Sequence, residues 1–203
     1  MHQIILIRHG EAAKSATDAD PGLTPQGQQQ AEALITSLDA RFPAGEGVQL
    51  ISSPKSRALQ TALPLATHWN KDIREVEDVI EIPSPLGIPL ARRGAWIRQL
   101  LHSSWESLDS AQQQWRQGLI RYLLSLGARP ENTDADQQQA HTTLVFCHFM
   151  VINSVIAALR NDLKVAQFYP DYTSQTRLGI EHDLLKIIEL GKERSGEVLH
   201  RIQ

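Results

Sequence analysis

Residues 4–11, which read Ile-Ile-Leu-Ile-Arg-His-Gly-Glu, limit the fold of this chain more than any other segment. Four aliphatic residues in a row, three of them β-branched, are typical of a buried strand and too few for a helix. The strand pattern ends in Arg8, His9 and Gly10. Open α/β sheets bind ligands at the carboxyl ends of their strands, and a glycine there permits close approach to the backbone. The run therefore predicts an α/β fold with an anion site and a titratable ring after the first strand.

In three later segments, a polar side chain again lies at the end of a predicted strand or at the start of a predicted helix. Thr24 before Pro25 resembles a helix N-cap with proline in the first turn, which predicts a helix over 25–41. Residues 51–62 read as strand, serine cap, proline and helix over 54–69, so Arg57 falls on the first turn, where an anion is favoured. Residues 142–148 read as a buried strand that delivers His148 at its carboxyl end.

The remaining pattern alternates strands with helices and therefore predicts one three-layer domain over 1–203, with a mostly parallel sheet covered on both faces. Pro64 is expected to kink or interrupt the helix over 54–69. The other expected elements are strands over 48–52 and 73–76, a proline-dense loop over 82–89, helices within 93–126 capped at Asp109 or Ser110, a polar loop over 129–141, a helix from 149 to 160, and a hairpin with strands 179–190 and 197–202 around Gly191 and Lys192.

Together the four polar segments resemble the histidine phosphatase superfamily, also called the phosphoglycerate mutase-like family. That family carries Arg-His-Gly after the first strand, Leu-Thr-x-x-Gly at a helix start, Ser-x-x-x-Arg-x-x-Gln-Thr on the next helix, and a late histidine. This chain has the same motifs in the same order over residues 1–82 and 142–190. It departs from the pattern at Phe149, where the family usually has glycine after the late histidine.

The resemblance implies a phosphoric monoester hydrolase that needs neither a metal nor another cofactor. Arg8, Arg57 and His148 would hold the phosphoryl oxygens, since guanidinium forks and a charged imidazole neutralise phosphate. His9 would attack phosphorus to form a covalent phosphohistidine, and water would complete the second step. The segment of about 83–130 corresponds to the family's variable insertion, which would lie as helices over the mouth of the active site.

A carboxylic acid is needed to protonate the leaving oxygen of an alkyl phosphate. The family places this acid after the third strand and before the insertion, and Glu81 fits that place best. The catalytic set implied by the resemblance is therefore His9, Glu81 and His148. The other carboxyl candidates are Glu11, Glu75, Glu77 and Asp78.

Several alternatives stay open on the sequence. The same site could serve phosphoryl transfer of the phosphoglycerate mutase type, a phosphohistidine phosphatase, or a catalytically silent phosphate-binding domain. Within the insertion, Trp96, Trp105 and Trp115 could line a substrate pocket, although packing on the sheet is the more common role. Arg92 and Arg93 could reach a substrate anion or lie in solvent.

Composition limits the kinds of partner and the cellular compartment that we expect for this chain. The formal net charge of −3 over 203 residues gives no basic surface for nucleic acid or anionic membrane, so the expected partner is a small phosphorylated substrate. Cys147 is the one cysteine, which excludes an internal disulfide and fits a reducing compartment such as the cytoplasm. The first apolar run is too short for a signal peptide or a membrane span. Nothing in the sequence indicates the oligomeric state.

Overall fold

A computed structural model of the protein describes residues 1–15, 17–128 and 141–194. Its strands form one sheet in the order β3-β2-β4-β1-β5-β6. The first four strands in this order are parallel, and β5 runs antiparallel to both β1 and β6. The strands are β1 (His2–Arg8), β2 (Val48–Ser52), β3 (Ile73–Glu75), β4 (Thr142–Cys147), β5 (Gln175–Glu181) and β6 (Leu184–Glu189). The prediction of an α/β fold with a mostly parallel sheet is confirmed.

Helices cover both faces of this sheet. They are α1 (Pro25–Asp39), α2 (Ser56–Trp69), α3 (Leu90–Leu100), α4 (Ser110–Ser125) and α5 (Phe149–Arg160). Two predicted caps are present, because the Thr24 hydroxyl accepts a hydrogen bond from the Gly27 amide and Asp109 forms a capping box with Gln112. These caps satisfy amide groups that the first turn of a helix leaves without partners.

The central strand β1 shows how the sequence produces the three layers. Its four aliphatic side chains are fully buried and alternate between the two faces. Ile4 and Leu6 belong to the core that includes residues of α4 and α5, while Ile5 and Ile7 belong to the core that includes residues of α1 and α2. A strand buried on both faces requires an unbroken apolar run, which is the pattern in the sequence.

The second helix differs from its prediction in two ways. It begins at Ser56 rather than at residue 54, with Lys55 as its N-cap. It also continues through Pro64 to Trp69, so the expected interruption is wrong. Ala62, Leu65 and Ala66 are buried against the sheet, and this tertiary packing holds the turns on both sides of the proline. The Ser53 hydroxyl accepts a long hydrogen bond from the Lys55 amide, and it also contacts His148.

The predicted hairpin around Gly191 and Lys192 is wrong in its first strand, because residues 179–190 do not form one continuous strand. The chain turns earlier, between β5 and β6, at His182 and Asp183, which have φ values of 50° and 60°. A two-residue hairpin turn of type I′ needs positive φ at both positions, where Asn and Gly are the usual residues. Residues 195–203 and 129–140 lie outside the described residues, and so do the predicted strand over 197–202 and most of the polar loop over 129–141. The extent of the domain over 1–203 stays a prediction.

The insertion of about 83–130 contributes α3, α4 and a 3₁₀ turn, Trp105–Ser107, within its described residues. Trp105 is almost completely buried, and Trp96 and Trp115 pack against the core. The Trp115 indole also donates to the Ile80 carbonyl at 3.1 Å. These tryptophans therefore anchor the insertion on the rest of the domain.

Two glycines allow the loop after β1 to touch the first turn of α1. A Cβ atom on Gly27 would lie 2.1 Å from the Glu11 carbonyl oxygen, and one on Gly10 would lie 2.7 Å from the Gly27 carbonyl oxygen. The atoms that an added Cβ would meet belong to the backbone, so they cannot move aside as the end of a flexible side chain could. The contact fixes the segment that follows His9.

Gly27→Ala should therefore destabilise the protein, with a free energy of unfolding lower by about 1–3 kcal/mol, the usual cost of forcing a methyl group into a packed site. Urea denaturation measures this change. Gln28→Ala is the matched control, because Gln28 is exposed on the same helix turn and should change stability little. Equal stability of Gly27→Ala and wild type would contradict the close contact.

Candidate active site

Four of the predicted polar residues meet at the carboxyl edge of the sheet. Arg8 ends β1, His9 follows it, His148 follows the neighbouring strand β4, and Arg57 extends from the first turn of α2. The ring centroids of His9 and His148 lie 5.3 Å apart, and Arg57 Nε lies 3.3 Å from His9 Nε2. Because β1 and β4 are paired in parallel, with Arg8 opposite Cys147, the residues that follow the two strands emerge side by side.

The His9 imidazole is held in one orientation. Its Nδ1 lies 2.7 Å from the Gly10 carbonyl oxygen, which can only accept, so Nδ1 carries the proton. The other nitrogen, Nε2, then accepts from the Arg57 Nε–H. Burial, followed by the charges of Arg57 and Arg8, holds the pKa of His9 well below its usual value. The ring is therefore neutral, with the Nε2 lone pair facing the cationic side chain.

Arg8 is buried between aromatic rings. Its guanidinium carbon lies 4.4 Å from the centroid of Tyr172 and 5.4 Å from that of Phe149, and one terminal nitrogen donates to the Pro170 carbonyl at 2.7 Å. Burial lowers the pKa of Arg8 to about 10, which leaves it cationic at neutral pH. Tyr172 has no signal in the sequence, because its role depends on a contact across more than 160 positions.

Two buried nitrogens beside His9 have no hydrogen-bond partner within the described residues, His148 Nδ1 and Arg8 Nε. The other nitrogen of His148 lies 2.8 Å from the Ser53 hydroxyl. Burial, Arg57 and His9 lower the pKa of His148. An unpaired buried polar atom is costly. The Arg8 Nε–H is a donor, and His148 Nδ1 is a donor when it carries the ring proton, so both atoms fit a site that takes acceptor oxygens from a ligand.

Asp20, which the sequence analysis did not single out, orients the arginine of α2. Its carboxylate lies 3.7 Å from Arg57 and accepts from the amide and the hydroxyl of Ser56, at 3.0 Å and 2.8 Å. The carboxylate thus forms an ion pair with the guanidinium and also stabilises the amino end of α2, where negative charge is favoured. Asp20 lies outside every family motif quoted above, so no sequence signal indicated it.

Glu81 lines the same cavity as His9 and Arg57. Its Oε1 accepts from the adjacent Ile82 amide at 3.1 Å. Burial raises the pKa of Glu81, against the opposing charge of Arg57. Of the other carboxyl candidates, Glu11 accepts from the Thr24 hydroxyl at 2.9 Å, and the remaining three are exposed, at Glu75, Glu77 and Asp78. Glu81 is therefore the one of the five that faces the cavity.

The cavity above these groups has a volume of about 650 Å³. Its walls are the β1 end, the loop before α1, one side of α3, and the rings of Phe149 and Tyr172. Phe149, the departure from the family motif, contacts Arg8 and stands 5.8 Å from the Tyr169 ring. None of the three insertion tryptophans is among the lining residues, and of the two adjacent arginines only Arg93 is.

Within residues 1–15, 17–128 and 141–194, no group of three or more His, Cys, Asp or Glu side chains is arranged to hold a metal ion. In the same part of the chain, every helix is too short or too polar to cross a membrane.

Solved structures of known proteins have the same fold as this chain. A mycobacterial glucosyl-3-phosphoglycerate phosphatase, solved with inorganic phosphate, has a TM-score of 0.68 at 18% identity, covering 95% of this chain and 98% of its own. A phosphoserine phosphatase mutant from Entamoeba histolytica, solved with phosphoserine, has a TM-score of 0.67 at 23% identity, with coverage of 95% and 98%. At such identities the likeness shows the fold alone.

None of the curated protein sequences compared with the chain matched it. The sequence model of the histidine phosphatase superfamily (branch 1) matches residues 4–192, and the chain belongs to that superfamily.

Proposed function

We propose that this protein is a metal-independent phosphatase that hydrolyses a phosphate monoester through a covalent phosphohistidine on His9. The observation that carries the proposal is the fixed His9 ring, whose Nε2 bears no proton and points at Arg57. A neutral imidazole beside two guanidinium groups is suited to attack a bound phosphoryl group. The membership in the superfamily and the phosphatases among its structural neighbours support the reaction class.

In the first step, the His9 Nε2 lone pair forms a bond to phosphorus as the phosphorus–oxygen ester bond breaks. The leaving oxygen takes a proton from Glu81. In the second step, water attacks phosphorus, returns a proton to Glu81, and the phosphorus–nitrogen bond breaks to release inorganic phosphate. Arg8, Arg57 and His148 hold the three other oxygens, and stabilisation of the transferring group supplies most of the rate enhancement of phosphoryl transfer.

Two alternatives use the same residues. A phosphohistidine phosphatase cleaves a phosphoramidate, which needs no strong acid, so the position of Glu81 in the cavity favours an ester substrate. A mutase would return the phosphoryl group to the product and release no net phosphate.

The reaction is tested by following p-nitrophenyl phosphate with and without EDTA, together with inorganic phosphate release. We expect equal rates in both conditions and one phosphate for each p-nitrophenol. Loss of activity in EDTA would contradict the metal-free mechanism, and p-nitrophenol without free phosphate would indicate transfer to another acceptor.

Arg57→Ala should weaken binding of inorganic phosphate by about 10- to 100-fold, because it removes a charge-assisted hydrogen bond made in the ground state. The turnover rate should also fall, since the same charge stabilises the transition state. Isothermal titration calorimetry measures the affinity. Arg92→Ala is the matched control, because Arg92 is exposed and does not line the cavity. Unchanged phosphate affinity in Arg57→Ala would remove Arg57 from the binding site.

Cys147 has no part in this scheme. It is fully buried in β4, and burial raises the pKa of its thiol, so the thiolate needed for nucleophilic attack is disfavoured. A buried free thiol in a chain without a second cysteine supports our further proposal that the protein works in a reducing compartment such as the cytoplasm.

A further inference from the structure

We propose that Tyr172 and Phe149 are positioning residues, whose rings hold the Arg8 guanidinium toward the bound phosphoryl group without neutralising its charge. The inference rests on the proposed function, since it concerns how one cation of that site keeps its place and its charge. Phe149 stands where the superfamily usually has glycine, so this part of the support does not come from the superfamily's motif.

Arg8 is a buried cation without a carboxylate partner. The residue is 7% exposed, and it forms no ion pair in the part of the chain that the structure describes. Burial of an unpaired charge is costly. The guanidinium instead meets the Pro170 carbonyl and the rings of Tyr172 and Phe149. The face of an aromatic ring attracts a cation, so the two rings offset part of this cost.

The other arginine of the proposed phosphate site is held in a different way. Arg57 forms an ion pair with Asp20 at 3.7 Å. A carboxylate accepts hydrogen bonds from the guanidinium and competes with a ligand for its donors, whereas a ring face leaves those donors free. Accordingly, Arg8 Nε has no hydrogen-bond partner among the described residues. The rings therefore fix the position of Arg8 and leave this donor and the positive charge for a phosphoryl oxygen.

The segment that carries Tyr172 is tied to Arg8 itself. The Thr173 amide donates to the Arg8 carbonyl at 3.0 Å, and the Arg8 amide donates to the Ser174 carbonyl at 3.2 Å. Thr173 has a φ of 55°, which β-branched residues seldom adopt, so the chain makes a specific turn directly after the ring. The Arg194 guanidinium carbon also lies 4.1 Å from the Tyr172 ring centroid. These contacts hold the ring in place beside Arg8.

Substitutions of Tyr172 separate the effect of the ring face from that of the phenol hydroxyl. Tyr172→Leu should weaken binding of inorganic phosphate by about 5- to 30-fold, the change that corresponds to loss of a desolvated cation–π contact. Tyr172→Phe keeps the ring face and should stay within about 2-fold of the wild type. Isothermal titration calorimetry measures the affinities. Wild-type affinity in Tyr172→Leu, or an equal loss in both variants, would overturn the inference.

A control and a double variant show whether the ring acts through Arg8. Tyr122→Leu is the matched control, because Tyr122 is also half-buried but lies on α4 and does not line the cavity, so phosphate affinity should not change. In an Arg8→Gln background, Tyr172→Leu should weaken phosphate binding little further, because the cation that the ring supports is gone. A further loss as large as in the wild-type background would contradict positioning through Arg8.

The side-chain Nε–H signal of Arg8 gives a readout that needs neither turnover nor a ligand. Two-dimensional NMR of isotopically labelled protein should show this signal displaced by the ring currents of Tyr172 and Phe149. Tyr172→Phe should keep the displacement, and Tyr172→Leu should lose most of it. The same signal position in Tyr172→Leu and the wild type would overturn the inference. Failure of the wild type to bind phosphate would instead contradict the proposed function, because the NMR signal reports the position of Arg8 independently of binding.

Discussion

His9→Ala should lower the turnover of p-nitrophenyl phosphate by about 10⁴-fold or more, because no other group replaces a removed nucleophile. Arg8, Arg57 and His148 remain, so phosphate should still bind. Steady-state kinetics measures the loss, and calorimetry with inorganic phosphate shows whether the site survives.

His68→Ala is the matched control for this variant. His68 is on α2 with an exposed side chain and lies 3.4 Å from Asp39, away from the cavity. We expect it to keep wild-type turnover. Substantial activity in His9→Ala would rule out a mechanism that passes through this histidine. A thermal transition like that of the wild type shows that a loss of activity does not come from unfolding.

Glu81→Gln should slow alkyl phosphate esters by about 10²-fold or more and p-nitrophenyl phosphate much less. An alkoxide is a poor leaving group and needs the proton that Glu81 supplies in the proposed mechanism, whereas p-nitrophenolate departs without it. The ratio of kcat for the two substrates measures the contribution of the acid. Glu77→Gln is the control, since Glu77 is exposed outside the cavity.

The pH profile gives an independent readout of the same group. A general acid must be protonated, and burial raises the pKa of Glu81, which extends its protonated form to higher pH. Activity toward alkyl esters should therefore fall as pH rises through this pKa, and Glu81→Gln should lack that fall. Equal slowing of alkyl and aryl esters would indicate a structural role. No slowing of either would assign the proton to another group or favour a phosphoramidate substrate.

The residues at the centre of the candidate site could be predicted because each follows an element that the sequence marks clearly. The buried aliphatic runs before His9 and His148 fix two strands, and parallel strands present their carboxyl ends at one edge of a sheet. Arg57 follows in the same way from a helix start. These signals are local, so they need no knowledge of how distant segments pack.

Contacts across the chain could not be predicted in this way. The stacking of Tyr172 on Arg8 and the ion pair between Asp20 and Arg57 depend on tertiary packing. The choice between Arg92 and Arg93 depends on the rotation of α3, which is set by the burial of other residues in the insertion. The hairpin turn was missed because His182 and Asp183 adopt positive φ without the glycine that such a turn usually has.

The central claim, a phosphoryl group carried by His9, is tested most directly by trapping it. Wild-type protein is mixed with p-nitrophenyl phosphate, quenched in base during the first turnover, digested and mapped by mass spectrometry. We expect phosphate on the peptide that contains His9, stable in base and lost in acid, and none in His9→Ala. A phosphoryl group on another residue, or a burst of p-nitrophenol equal to the enzyme concentration with no protein-bound phosphate, would contradict the mechanism.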